Sequence, residues 1–274
     1  MIERTYQERG DTWHVREHDL QEFISASVSE PPHAKNQNHH GAHEFATGED
    51  FRPDWRGGTY DEAQTRRVWP EGLAKLSSIN LDGAKLPTVK ARRRVRRWGE
   101  DGDEFSRDRF DSGYLDCWET RKRETTDAPA SGVIRLTVER SANRTSAADS
   151  LIWSGVAAAK LVDELESAGY RVELDVLVSI AKLNGRDYFS VDVIHVKRAD
   201  EPLNMAAVLF AIAHPLFFRY HIFAALLRRP IKCNSSLGHA TTTPAGLRGD
   251  IHIARVHTRD DAVSAVRDEL RKRS

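Results

Sequence analysis

The chain has 274 residues, with 41 Lys and Arg balancing 41 Asp and Glu, 39% hydrophobic and 30% charged. That is enough for one large domain or two modest ones, and the zero net charge excludes wholesale coating of nucleic acid or anionic lipid while leaving room for a local basic patch. Its two cysteines, Cys117 and Cys233, lie far apart in no CxxC pair, so a disulfide framework and a cysteine-rich zinc site are excluded and a reducing, cytoplasmic setting is the default.

The opening MIERTYQERGDTWHVREHDL lacks an apolar stretch and does not read as a signal peptide. Residues 1–130 form an irregular N-terminal region, charged and rich in Gly, Pro and His. Short helices are predicted at Asp19–Ser27 and Tyr60–Val68, the second stopped by Trp69–Pro70. Ser29–Gly48 has almost nothing to bury and reads as a loop. Thr88–Trp98 (TVKARRRVRRW) reads as a strand of a charged hairpin. Basic residues fill six of the eight places from Lys90 to Arg97, and acidic residues four of the five from Glu100 to Glu104. Lys90, Arg92, Arg93, Arg94, Arg96 and Arg97, with Trp98 to stack on a base, are the candidate nucleic-acid contacts. The competing reading is a charged strand neutralised by the acidic turn beside it.

Residues 131–274 have a clearer pattern. Val133–Val138 is a short apolar strand. Asp149–Ala168 is a helix, with Leu151, Ile152, Val156, Ala159, Val162 and Leu165 on one stripe and Gly169 at its end. Arg171–Ile180 is a β-branched strand, and Asn184–Gly185 marks a tight turn. Tyr188–Lys197 is an alternating strand. A long apolar helix runs from Pro202 to about Arg229, kinked at Pro215. Within it the longest unbroken apolar run, MAAVLFAIA, has nine residues, short of the roughly 20 needed to span a bilayer. Ile251–Val256 and Ala262–Lys272 close the chain as strand and helix. A right-handed crossover makes the first two strands parallel, and the hairpin adds an antiparallel edge strand. The expected fold class is α/β: a small, mostly parallel, Rossmann-like sheet of order 3-2-1-4 with helices on both faces. Ligands of such sheets gather where the first strand ends, here the turn VERSANRTS.

The run GVIRLTVERSANRTSAADSLIWSGVAAAKLVDELESAGYRVEL, with its strand, Ser-rich turn, helix and hairpin-linked strands, resembles a von Willebrand factor A-like domain. It resembles those that accompany cobalt-chelatase-type and MoxR-type ATPases. With RGGTYDEA, WPEGL and RRVRRWGEDGDEF ahead of it, the whole chain is similar to uncharacterised proteins of tailed phages and prophages. The resemblance implies a D-x-S-x-S magnesium site after the first strand. Here Glu139, Ser141 and Asn143 hold those places, one of Thr241–Thr243, taken as Thr242, stands for the later Thr, and Asp260 for the later Asp. Oxygen donors suit a hard cation, yet Glu for Asp shifts the carboxylate by about 1.5 Å, and Arg140 and Arg144 flank the turn. The bland alternative has Ser141, Asn143 and Ser146 closing the turn and capping the helix.

His39, His40, His43 and Glu44 have metal-like spacing in a loop without a rigid support. His214 and His221, seven apart on the long helix, fall near one face as core histidines. No phosphate loop, dinucleotide fingerprint or nucleophile–base pair is present. The expectation is therefore a non-catalytic assembly module needing no cofactor, with Mg²⁺ the sole candidate. By resemblance its partner is an AAA+ ATPase or a phage assembly component, met at the rim of Glu139, Ser141, Asn143, Thr242 and Asp260. The alternative is nucleic-acid binding through Arg92–Trp98.

Overall fold

The computed structural model describes residues 1–38, 47–48, 52–80, 89–128, 132–142, 148–181, 188–229, 239–254 and 256–272. In chain order the strands are β1 (Ile2–Glu8), β2 (Asp11–Asp19), β3 (Val89–Gly99), β4 (Glu104–Phe105), β5 (Trp118–Ala128), β6 (Val133–Glu139), β7 (Arg171–Ala181), β8 (Phe189–Lys197), β9 (His239–Ala240) and β10 (Ile251–Ile253). The α-helices are α1 (Leu20–Ser29), α2 (Pro53–Arg56), α3 (Tyr60–Thr65), α4 (Glu71–Ser77), α5 (Arg107–Asp111), α6 (Ala148–Ser167), α7 (Met205–Ala213), α8 (Phe223–Leu227) and α9 (Arg259–Arg271). The protein is mixed α/β, with a mostly parallel main sheet.

That sheet runs β1-β2-β8-β7-β6-β10, with β9 pairing the end of β7. β6 is parallel to both β7 and β10, and β8 is antiparallel to β7. The Asn184–Gly185 turn lies outside the described residues. β8 is not the edge expected of it: β2 pairs with it in parallel and β1 completes a hairpin beyond. The main sheet thus draws on both sides of the boundary near residue 130, and residues 2–29 are regular, not irregular. Arg9 (φ 52°) and Gly10 (φ 89°) make the tight turn of that hairpin, both left-handed, as a two-residue connection between twisted strands requires. Asp19 then caps α1, its carboxylate accepting from the amides of Gln21 at 2.9 Å and Glu22 at 3.4 Å.

The expectation of helices on both faces is corrected. Ile134, Leu136 and Val138 of β6, the even positions of β7, and Ile194 share one core with residues of α1, α3, α4 and α6–α9. The opposite face buries a smaller group, Trp13, Val15, Leu177, Val191, Val193 and Leu247. The handedness rule fixes the side of a connection only between parallel strands. It places α6, between β6 and β7, but α7–α8 join the antiparallel pair β8 and β10, so apolar burial decides their side.

The long apolar helix is broken rather than kinked. α7 ends at Ala213, and His214 takes an extended backbone (ψ 129°) before Pro215. A wider i→i+5 turn over Phe217–Ile222 then leads into α8, at 56° to α7. Among the described residues no single helix is long and apolar enough to cross a membrane. The break also separates His214 from His221, which do not share a helix face. His221 is fully buried, its Nδ1 2.5 Å from the Ser27 hydroxyl. α3 stops at Thr65, short of the expected Val68, where Arg66 takes an extended backbone (ψ 128°), and the Trp69 amide then donates to the Ala206 carbonyl at 2.9 Å.

α6 crosses α7 at Gly155, where an added Cβ would collide with the Ile212 carbonyl and the Ala213 Cα. Both obstacles are backbone and cannot rotate away. Gly155→Ala, harmless or stabilising in an ordinary helix interior, is therefore expected to destabilise the fold by about 1–3 kcal/mol, read as a lowered urea midpoint at unchanged slope.

Candidate nucleic-acid interface

β3, β4 and β5 form a second sheet. β3 and β5 are paired antiparallel over their full length, from Val89 opposite Ala128 to Gly99 opposite Trp118. The register sorts the basic residues. Lys90, Arg92, Arg94, Arg96 and Trp98 alternate onto one face, together with Arg121 and Arg123, while Arg93, Arg97 and Lys122 fall on the other. Arg94 stands directly opposite Arg123, and Arg96 opposite Arg121. Like charges facing each other across a ladder destabilise it. Residues 90–97 and their ladder partners 120–127 hold nine basic side chains against two acidic, Glu124 and Asp127. Sequence reasoning found the β3 half of this ribbon and missed Arg121, Lys122 and Arg123. Their signal was a second basic run, TRKRE, at strand length.

The near end of the ribbon has the opposite character. Residues 99–119 carry eight acidic side chains against two basic. Glu104 pairs opposite Glu119, and Phe105 opposite Trp118. Trp98 is 38% exposed and lies over the Arg109 guanidinium at 4.6 Å, with Tyr114 at 4.4 Å. Asp116 fixes that guanidinium through its carboxylate at 2.9 Å and its carbonyl at 3.1 Å. The acidic turn thus sits beside Arg97 and Trp98, not along the ribbon.

The rim expected from the resemblance is built differently from a metal site. Glu139 ends β6, and where β6 stops the segment around β9 continues the ladder beside β7, Thr241 N–H donating to the Ser179 carbonyl at 3.2 Å. Glu139 Oε1 accepts from the amide and hydroxyl of Ser141. Its Oε2 accepts from the amide of Thr243 at 3.0 Å and the hydroxyl of Thr243 at 2.6 Å. Ser141 Oγ in turn accepts from the Ser179 amide at 2.6 Å, and the Ser179 and Thr243 hydroxyls bond each other. Burial pushes the Glu139 carboxyl up from its usual range, and the four donated bonds oppose that.

The partner is Thr243, not Thr242, which is exposed. Asp260 is exposed in the first turn of α9, where it lines a shallow cleft with Val263, Ser264, Arg267, Asp268 and Arg271. Asn143, like His39, His40, His43 and Glu44, lies outside the described residues. These residues do not fit Mg²⁺. Both carboxylate oxygens are saturated by donors and the Ser141 hydroxyl is committed on both sides, so an ion would have to break the cage. Among the described residues no group of His, Cys, Asp and Glu is placed to hold a metal. Adding Mg²⁺ is expected to leave the melting temperature unchanged, whereas Glu139→Gln, which turns an NH₂ toward obligate donors, should cost about 1–3 kcal/mol.

The face opposite the α-helices of the described residues carries a polar row with one residue from each of five adjacent strands. Arg135 Nε and His195 Nδ1 both reach Asp175, at 2.8 and 2.6 Å; His195 Nε2 is 3.9 Å from Glu17, which pairs with Arg4 at 2.8 Å. On the helix side, Asp192 meets Arg229, Arg16 at 2.9 Å and His18 at 3.2 Å. Both are ion networks that hold strands in place, and in the second the Ser190 hydroxyl is taken up by Arg229.

Fold and site together define a class: an α/β protein whose one-sided helix layer supports a mostly parallel sheet, joined to a separate basic β-ribbon. The chain belongs to the family whose model is described as a domain of unknown function (DUF7192), which matches residues 6–274 and so takes in both sheets. No curated protein matches it, and neither does any solved structure.

Proposed function

We propose that this protein binds nucleic acid through the β3–β5 ribbon. The observation that carries the reading is the register that sets Arg94 against Arg123 and Arg96 against Arg121. Like charges at opposed ladder positions disfavour a ribbon, and a polyanion lying along that face removes the cost. A two-stranded ribbon also has the width that the major groove of duplex DNA admits. The affinity for a random-sequence duplex should fall steeply with salt. Its log–log slope should be roughly −5, from about six phosphate contacts. A slope near zero, or no binding at low salt, would remove this reading.

The finer fold reading is also a proposal. A Rossmann-like, von Willebrand A-like C-terminal half is supported by the neighbours β8-β7-β6-β10 with β8 alone antiparallel among them. The single helix layer speaks against it. The assembly role that came with that resemblance has less support, because Glu139, Ser141 and Thr243 spend their side chains on one another. An AAA+ or phage partner would have to dock elsewhere.

A further inference from the structure

Among the described residues, eleven large apolar side chains are conspicuously exposed, and six of them fall between Trp98 and Trp118. Phe110 is 61%, Tyr114 54% and Leu115 85% exposed; Phe105 packs on Phe110 and Trp118 at 5.7 and 5.1 Å. Contiguous exposed apolar surface of this kind marks an interaction site. Nucleic acid is a poor occupant, since eight carboxylates are spread through the same stretch, residues 99–119. An arginine-rich surface is a good one. Arg109 shows the chemistry already at work, its guanidinium between Trp98 and Tyr114 and held by Asp116.

We propose that the aromatic, acidic base of the ribbon docks the basic shaft of the ribbon of a second copy of this chain. The shaft of residues 90–97 and 120–127, nine basic side chains to two acidic, complements the base within one sequence of zero net charge. A shaft cannot fold back onto its own base, because the same two paired strands lead out of it. The contact is therefore between two copies: it closes as a two-fold dimer where each base meets the other's shaft, and continues head to tail where it does not. It goes beyond nucleic-acid binding and does not depend on it. Since both use the shaft, a second copy and an oligonucleotide exclude each other.

Sedimentation velocity of the full chain tests this, over a hundredfold range of concentration at low and high salt. The mean mass should climb with concentration at low salt and return to the monomer at high salt. Two variants with native circular dichroism separate the halves: Phe110→Ser with Leu115→Ser in the base, and Arg94→Glu with Arg96→Glu in the shaft. Each alone should stay monomeric. Mixed, they should give a dimer and nothing larger, because one intact shaft meets one intact base. The base variant should keep its affinity for oligonucleotides. A wild-type chain that stays monomeric at low salt overturns the proposal. So does a base variant that associates like wild type, or a mixture that yields no dimer. None of those results touches the nucleic-acid reading, which the oligonucleotide titration decides separately.

Discussion

Arg94→Glu combined with Arg96→Glu is expected to lower the affinity for a short duplex by roughly 100-fold or more at 0.1 M salt. Each lost phosphate contact removes about 0.9 from the log–log salt slope, which at that salt is worth close to tenfold. Reversal adds repulsion to the loss. The register makes the expectation sharper than a count of charges would. Arg94 and Arg96 share a face with Arg121 and Arg123, whereas Arg93 is on the other face, opposite Glu124. Reversing Arg93 alone should therefore cost less than reversing Arg94 alone. Fluorescence anisotropy on a labelled duplex reads both. Equal losses for Arg93 and Arg94 would mean that bulk charge, not one face of the ribbon, meets the ligand.

The second large effect is on stability. Asp192 is 2% exposed, while Arg229 is fully buried. Burial works to raise the Asp192 carboxyl, but the charges of Arg16 and Arg229, with help from His18, outweigh it and hold it well below the usual carboxylate range. Asp192→Ala strands those cations, Arg229 in the interior and Arg16 partly covered, and should cost about 3–5 kcal/mol, a large share of a typical domain's stability. Pairing it with Arg229→Met should recover part of that loss.

The same interior makes the fold acid-sensitive. Burial depresses His221 to about 3, and His214 and His252 to about 4. The unfolded chain binds protons at these histidines near 6.5, so between those limits it holds more protons than the native state. Stability is complete above about pH 6.5 and is lost as pH falls toward 3, on the order of 3 kcal/mol each for His221 and His214 and less for the half-buried His252, which solvent screens. Asp192 adds its own loss below about pH 4. Urea midpoints at pH 7 and pH 4.5 check this, and His221→Phe should flatten the difference. An unchanged midpoint would mean that these side chains are reached by solvent.

How much of this was legible in the sequence varies from element to element. The Val133–Glu139 strand, the helix after it and the next two strands were readable because each repeats its own period over many residues. The parallel and antiparallel pairings of β6, β7 and β8 followed from a crossover and a tight turn. The first hairpin was not read, because Arg9–Gly10 is an unusual sequence for its turn and Trp13 and Val15 are its only strongly buried apolar residues. At the rim, the polar character of Glu139 and Ser141 was visible, but whether it serves a ligand or the protein itself was not.

The sequence by itself determined the α/β composition, most element positions and the basic content of the ribbon. Tertiary structure alone decided which face of the sheet the helices cover, which residue of Thr241–Thr243 meets Glu139, and which arginines stand together. Periodicity is a property of neighbours along the chain, read within ten or twenty residues. Facing, burial and charge opposition arise between segments that sequence distance does not relate. They are settled by what each surface excludes from water, and by which strand happens to lie beside it.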